Sequence, residues 1–460
     1  MILKTELLQN KTQPCTEQEQ IRAVPWILAA NVLSAPFVIW TFGGSVFLLF
    51  LDELGLPKNQ IGVILSLFPF CGLLALGFAP AAKRCGWKRV FLLCYGTRKF
   101  VMALLLLLPW IMTTYGNRIA LAFLFTVIIT FSLLRALAET AGLPWTQEFT
   151  PKRLWGRIGG INTVLCTLAT GVSLWLAGKI IGHGVGLTRF QVLIGAGCVI
   201  GLLGVILMVK VPGGQPRTDT KVSSKHGENM LQALRNRNFV SFLGGSGCVM
   251  IGNMLFISFL PLYVKDRMGV APGTVVMLDI MVMVGGALSG LLLGWAADRV
   301  GSRPVLMPST ALTLLIPLGW LLLPRQIPHA AFWCSALYLL YGVTSSGMNI
   351  ASGRLLFNGV IPEEHSTAYT AIYYAWMGVT GGIAPLLAGA ILSASGTWQA
   401  SFCALTIDGH SLLFLLALLL LAAGWCLYDR VRPDDQHTTR TAIRELLEPV
   451  FSRQMLQFWR

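Results

Sequence analysis

The sequence predicts an all-α polytopic membrane protein, with 12 transmembrane helices in two six-helix pseudo-symmetric halves. Three observations predict it. Charged residues make up only 12% of the 460 residues and apolar residues 55%, whereas a soluble domain carries about 25% charge. Apolar runs of about 20 residues recur from residue 26 to 428, each long enough to cross roughly 30 Å of hydrocarbon at about 1.5 Å per residue. Finally, a polar motif between two such runs, Gly294-Trp-Ala-Ala-Asp298-Arg299-Val-Gly301-Ser-Arg303, is echoed roughly 215 residues earlier by Lys83-Arg84-Cys85-Gly86-Trp87-Lys88-Arg89. One membrane unit used twice is a known way of building a transporter.

Residues 1–25 are polar, with Lys4, Glu6, Lys11, Glu17, Glu19 and Arg22. They show no cleavable signal peptide, so the amino terminus is expected in the cytosol. The expected spans are about 26–50, 60–82, 90–112, 119–141, 158–180, 188–210, 239–263, 274–297, 304–323, 330–352, 367–393 and 403–428. The stretch 211–238 holds Pro212-Gly213-Gly214, Pro216, Lys221 and Lys225, so it reads as a cytosolic linker between bundles at 26–210 and 239–428. Pro151 after span four and Pro362 after span ten repeat the duplication at nearly the same offset.

The net charge of +15 lies mostly in short loops and reads as inside-positive topology, not nucleic-acid binding. With the amino terminus inside, about 25 basic residues fall on the cytosolic side and about six outside. Both termini are then cytosolic, and the expected location is the plasma (cytoplasmic) membrane. The ten cysteines are scattered singly, with no metal-ligand spacing. The tail, 429–460, carries Ile443, Leu446, Leu447, Val450 and Phe451 at helical spacing, with Arg440, Arg444 and Arg453 nearby. It reads as an amphipathic helix on the anionic leaflet, with partner docking as the alternative.

The G-x-x-x-D-R-x-G-x-R pattern at 294–303 resembles the loop signature of the major facilitator superfamily of secondary transporters. The resemblance implies alternating access by rocking of the two halves around a central site. It implies a small-molecule substrate, a coupling cation (proton or sodium), a lipid environment and a monomer, with no cofactor and no enzymatic activity. Gly294 is expected to allow close helix approach, and Gly301 a turn with positive φ. Arg299 and Arg303 suit the cytosolic surface. In the family, the acid at Asp298 caps a helix of the opposite half, here the start of span five near Gly159 and Gly160; a solvated turn is the alternative. The echo at Lys83, Arg84, Gly86 and Arg89 departs from the pattern. Lys83 stands at the acidic position and Ala79 where glycine is usual, so the gate is expected to be asymmetric. Lys83 would use other partners, such as Glu363 or Glu364.

Charges inside spans should face protein or a water-filled cavity. Arg135 lies about 16 residues into span four, roughly 24 Å from its outer end. Glu139 is one turn on, so an i, i+4 pair is available. The resemblance gives Arg135 a role in substrate binding or proton coupling; a structural ion pair is the alternative. Arg98 and Lys99 stand near the middle of span three, where bracing of the first half is the favoured reading. Asp279 in span eight is the best candidate for a titrating carboxylate in the second half; an interfacial acid that faces water is the alternative. Asp408 and His410 read as interfacial.

The neutral candidates on spans that the family assigns to the cavity are Asn31, Trp40, Asn253, Tyr341, Asn349, Tyr369, Tyr373 and Trp376. The last three share one face at i, i+4, i+7. Such a face suits stacking on a sugar ring or aromatic solute; packing between helices explains it without a ligand and is the favoured reading for any one residue. Pro144-Trp145 through Gly156-Arg157 resembles sugar–cation symporters, which favours sugar-like uptake. A drug or metabolite efflux antiporter is the first alternative, although Thr170-Gly171-Val172-Ser173 lacks the proline such antiporters often carry. A non-transporting sensor or membrane enzyme is the second. No phosphate loop and no H-E-x-x-H appears in the sequence.

Overall fold

The computed structural model describes residues 16–150, 154–215, 232–325, 327–362, 366–396, 398–402 and 405–434. Among the described residues, twelve long helical segments follow one another. They are α1 (Glu17–Thr41) with α2 (Gly44–Glu53), α3 (Lys58–Cys85), α4 (Trp87–Ala103) with α5 (Leu108–Tyr115), α6 (Asn117–Phe149), α7 (Trp155–His183) and α8 (Thr188–Val209). Then come α9 (Arg237–Ile257) with α10 (Leu260–Asp266), α11 (Pro272–Val300), α12 (Arg303–Thr313) with α13 (Leu315–Leu322), α14 (Ala330–Leu355), α15 (Ser366–Ser395) and α16 (Gly409–Asp429). Among the described residues, ten of the twelve are long and apolar enough to cross a membrane. Segments α3 and α14 complete the twelve; α14 is diluted by Thr344, Ser345, Ser346, Asn349 and Ser352.

The expected continuous spans are interrupted in four places. Between α1 and α2, Val38 O accepts from both Phe42 N and Gly43 N, and Gly44 takes φ +53°. Span three passes through a 3₁₀ turn at Leu104–Leu107, before Pro109. Pro261 opens α10, and span nine breaks at Leu314. Proline removes a backbone donor and glycine relaxes φ, so each break has a local cause at the first three sites.

Span twelve starts later than the apolar run at 403 suggested. Residues Ala400–Phe402 (β1) and Leu405–Ile407 (β2) form a short antiparallel hairpin, with Ala400 opposite Ile407. The helix begins after Asp408, whose carboxylate accepts from Ser411 N at 3.0 Å and caps the first turn.

The chain divides into two compact units, residues 1–221 with 271–277, and residues 222–270 with 278–460. In the first, α1 packs along α8; in the second, α9 packs along α16. The approach is close and similar. A Cβ on Gly204 would stand 3.0 Å from Ala30 O, and one on Gly424 would stand 3.1 Å from Gly245 O. The first unit buries Ala23, Ile27 and Ala30 against Trp145, Phe149 and Met208. The second buries Phe239 and Phe242 against Leu421, Tyr428 and Met348.

Candidate functional site: paired turns and charge inside the helices

Gly86 links α3 to α4 with φ +94°, and Gly301 lies between α11 and α12 with φ +89°. Each amide closes the preceding helix, Gly86 N on Ala82 O at 3.0 Å and Gly301 N on Ala297 O at 3.1 Å. Two residues after each glycine stands a cation. Lys88 Nζ donates to Val209 O at 2.8 Å and Val211 O at 2.6 Å, at the end of α8. Arg303 Nη2 donates to Asp429 O at 2.6 Å and Asp429 Oδ1 at 2.8 Å, at the end of α16. Cations there satisfy terminal carbonyls and oppose the negative end of the helix dipole. Lys88 was not among the sequence candidates, although its matching offset to Arg303 was the available signal.

Within the second unit, the acidic position makes a local ion pair. The Asp298 carboxylate is 84% exposed and accepts from Arg354 Nη1 at 3.1 Å, within its own unit. The carboxylate at the start of α12 is Asp434. It accepts from Ser302 N at 3.0 Å and from Ser302 Oγ, and Arg354 Nε lies 3.9 Å away. Its side chain is only 3% exposed. The reason is geometric. Ser302 opens α12, and the strap after α16 runs past it, whereas Asp298 lies on the outside of the last turn of α11. In the first unit, Glu148 Oε2 accepts from Gly214 N at 3.1 Å, on the strap after α8. Lys83's side chain, Glu363 and Glu364 lie outside the described residues. Arg84, Arg89 and Arg299 are exposed, and Arg299 lies 5.5 Å from the Trp295 ring centroid. Gly294 is not at a close approach: a Cβ there meets nothing within 4 Å in its own unit.

Within the first unit, Arg135 Nε pairs with Glu139 Oε1 at 2.7 Å, with side chains 31% and 59% exposed. Arg135 Cζ lies 5.6 Å from the Phe42 ring, at the break in span one. Arg98 and Lys99 are 5% and 0% exposed. Lys99 Nζ sits 3.6 Å from the Tyr95 ring centroid and 4.4 Å from that of Phe37; Arg98 Cζ sits 4.1 Å from Tyr95. Asn31 Nδ2 donates to Asn162 Oδ1 at 2.8 Å, and buried Trp40 donates to Ser173 O at 2.8 Å. A separate cavity of about 240 Å³ is lined by Leu56, Pro57, Leu108, Met112, Arg118 and Leu121, and it contains none of the predicted residues.

Within the second unit, the α15 stripe faces α9. Tyr369 packs on Phe239 (4.6 Å between centroids) and meets Asn236 Nδ2 at 3.3 Å. Tyr373 lies 6.0 Å from Phe242, and Trp376 Nε1 donates to Leu243 O at 2.8 Å while its ring covers Gly247. Tyr341 packs edge-on against Phe256, and Asn349 is exposed. Asn253 is buried, and its Oδ1 has no partner among the described residues. Asp279 is half-buried and lies within electrostatic reach of buried Tyr338. Asp408, 1% exposed, gathers Arg325 at 3.0 Å, Arg267 at 3.2 Å and His410 at 3.9 Å. Burial opposes its ionisation. His410, the Ser411 amide and Arg325 outweigh that and hold its carboxyl below the usual carboxylate range.

The family model described as the Major Facilitator Superfamily matches residues 28–356 and, overlapping, 242–459. No curated relative matches the chain at the sequence level. Among solved structures, the chain is similar to the nucleoside transporter NupG, at 13% identity and TM-score 0.63, over 90% of this chain and 100% of that one. It is similar to a bacterial homologue of the human lysosomal transporter Spinster, inward-facing and unoccupied, at 13% identity and TM-score 0.65, over 94% and 99%. A bacterial homologue of the iron transporter ferroportin matches at 12% identity and TM-score 0.65, over 89% and 98%.

Proposed function

The chain belongs to the Major Facilitator Superfamily, and we propose that it is a secondary active transporter moving a small solute by alternating access, coupled to protons or sodium. The observation that carries the reading is the repeated helix–Gly–cation unit. Gly86 with Lys88 and Gly301 with Arg303 anchor the third helix of each half to the end of its sixth. That construction makes each half a body able to move as one piece, as rocking requires. Arg135, Glu139 and Asp279 are the in-span charges we assign to substrate or cation binding, with Asn31, Asn253, Tyr341 and Asn349 as neutral candidates. Sugar-like uptake is the preferred substrate class and direction, and the plasma membrane with both termini cytosolic the preferred setting.

The test is counterflow in proteoliposomes, with a panel of labelled solutes that includes a nucleoside. A carrier exchanges labelled for unlabelled solute with saturation. Glu139→Gln or Asp279→Asn at the proton-carrying site abolishes gradient-driven uptake and spares exchange. Flux that rises linearly with concentration and never saturates would identify a channel and sink the proposal.

A further inference from the structure

The interior of the first unit holds more basic side chains than carboxylates to pair with them. Between Glu53 and Asp219 the sequence contains only two acids, Glu139 and Glu148. Glu148 is engaged by the strap amide of Gly214. The middle of the bundle therefore has one carboxylate, Glu139, and three basic side chains, Arg98, Lys99 and Arg135. Glu139 is bonded to Arg135 at 2.7 Å. Arg98 feels both of their charges. Lys99 Nζ and Arg98 Nε have no hydrogen-bond acceptor among the described residues.

Aromatic faces attract these cations but leave their charge in place. An uncompensated charge in hydrocarbon is strongly unfavourable, and intramembrane cations mark ligand or ion pathways. The surroundings match that role. Arg135 and Glu139 form a partly open rim, and half-buried Phe42 lies beside them at the broken helix. Phe42 leads inward to Phe37, 5.9 Å away, over which Lys99 sits.

We propose that this cluster is a subsite for the anionic group of the transported solute, a carboxylate or a phosphate. The inference rests on the transporter reading and narrows it to negatively charged solutes. Arg135 and Arg98 meet the anion, and Lys99 behind them raises the local potential without needing to touch it. The half-buried ring of Phe42 offers an apolar face for a ring-bearing body next to the charge.

The test uses the full chain, purified in detergent, and two readouts. The first needs no ligand. Removing a buried amine that has no acceptor among the described residues relieves an unsatisfied polar group, so Lys99→Met unfolds at the same temperature as the parent or higher. A lower unfolding temperature for Lys99→Met would show that Lys99 braces the bundle against a counter-ion within the chain, and would overturn the proposal. The second readout is ligand-induced stabilisation by glucuronate, benzoate and inorganic phosphate, with glucose and benzyl alcohol as neutral counterparts. At least one anion raises the unfolding temperature of the parent saturably, by about 2 °C or more. The response disappears in Arg135→Gln and Lys99→Met and survives in Arg325→Gln. Glucuronate and benzoate separate the carboxylate source from phosphate. No response to any anion, or an equal response to the neutral counterpart, overturns the anionic subsite. Saturable counterflow of a neutral solute would then leave the transporter reading standing without it.

Discussion

Lys88 and Arg303 hold equivalent places in the two halves, two residues after Gly86 and Gly301, and each donates to backbone carbonyl at the end of the last long helix of its own half. The side chains differ, and so do their partners: Lys88 spans two carbonyls, whereas Arg303 takes a carbonyl and the Asp429 carboxylate. The duplicated loop thus preserves a mechanical link through a positive charge, and its acidic position is the part that varied.

Lys88→Gln should loosen the last turn of α8, and Arg303→Gln that of α16. Hydrogen exchange at the amides near 205–211 and 425–431 reads this directly. Each variant should speed exchange at its own helix end and leave the other unchanged. Each lost charged hydrogen bond is worth about 1.5–3 kcal/mol when buried, and less here because both sites are partly wet. Unchanged exchange at both ends would show that the links carry no strength.

Asp434→Asn should destabilise the second half more than Asp298→Asn. The Asp434 carboxylate is nearly buried and receives two donors from Ser302 at the start of α12, so its loss costs about 1–3 kcal/mol. Asp298 is exposed and makes one ion pair, with Arg354, so its stability effect is small. Thermal unfolding of the two variants ranks them. For transport, Asp298→Asn is expected to lose more flux than Lys83→Gln, and equal losses would remove the proposed asymmetry of the gate.

Asp408→Asn removes the carboxylate that joins the segment after α10, the segment after α13 and the start of α16. Breaking a buried pair costs about 3–5 kcal/mol, and the value here falls toward or below the lower end because Arg267 and Arg325 are 30% and 19% exposed. The carboxyl titrates below its unfolded value of about 3.9. Its stabilising contribution is therefore fully present above about pH 4–5 and is lost only as pH falls through the depressed value. The parent should lose stability in strong acid more steeply than Asp408→Asn, as unfolding temperatures from pH 3 to 7 would show. Parallel profiles for the two would contradict the assignment.

Gly247→Ala should lower stability by about 1–3 kcal/mol. Its methyl would stand 2.5 Å from Trp376 Nε1 and force the indole off Leu243 O. Gly294→Ala meets open space in its own unit and gains helix propensity, by up to about 1 kcal/mol. Unfolding temperature distinguishes the two outcomes, and a tolerated Gly247→Ala would mean that the α15–α9 contact is looser than described.

The sequence by itself determined the number and placement of most spans, because crossing hydrocarbon requires about 20 apolar residues in a row and that requirement is local. It also determined the paired turns, since positive φ at Gly86 and Gly301 is a property of one residue. The i, i+4 bond between Arg135 and Glu139 was legible for the same reason, being set by helical pitch. Tertiary structure alone decided which acid meets the start of α12. Asp298 and Asp434 look alike in sequence, and only the path of the strap after α16 brings Asp434 to Ser302. It alone turned the Tyr369, Tyr373 and Trp376 face onto α9, and it alone left Lys99 between two aromatic rings without an acceptor among the described residues. Periodicity shows which residues share a face. What stands opposite that face comes from segments over a hundred residues away, as with Trp376 and Leu243, so it depends on how the helices pack.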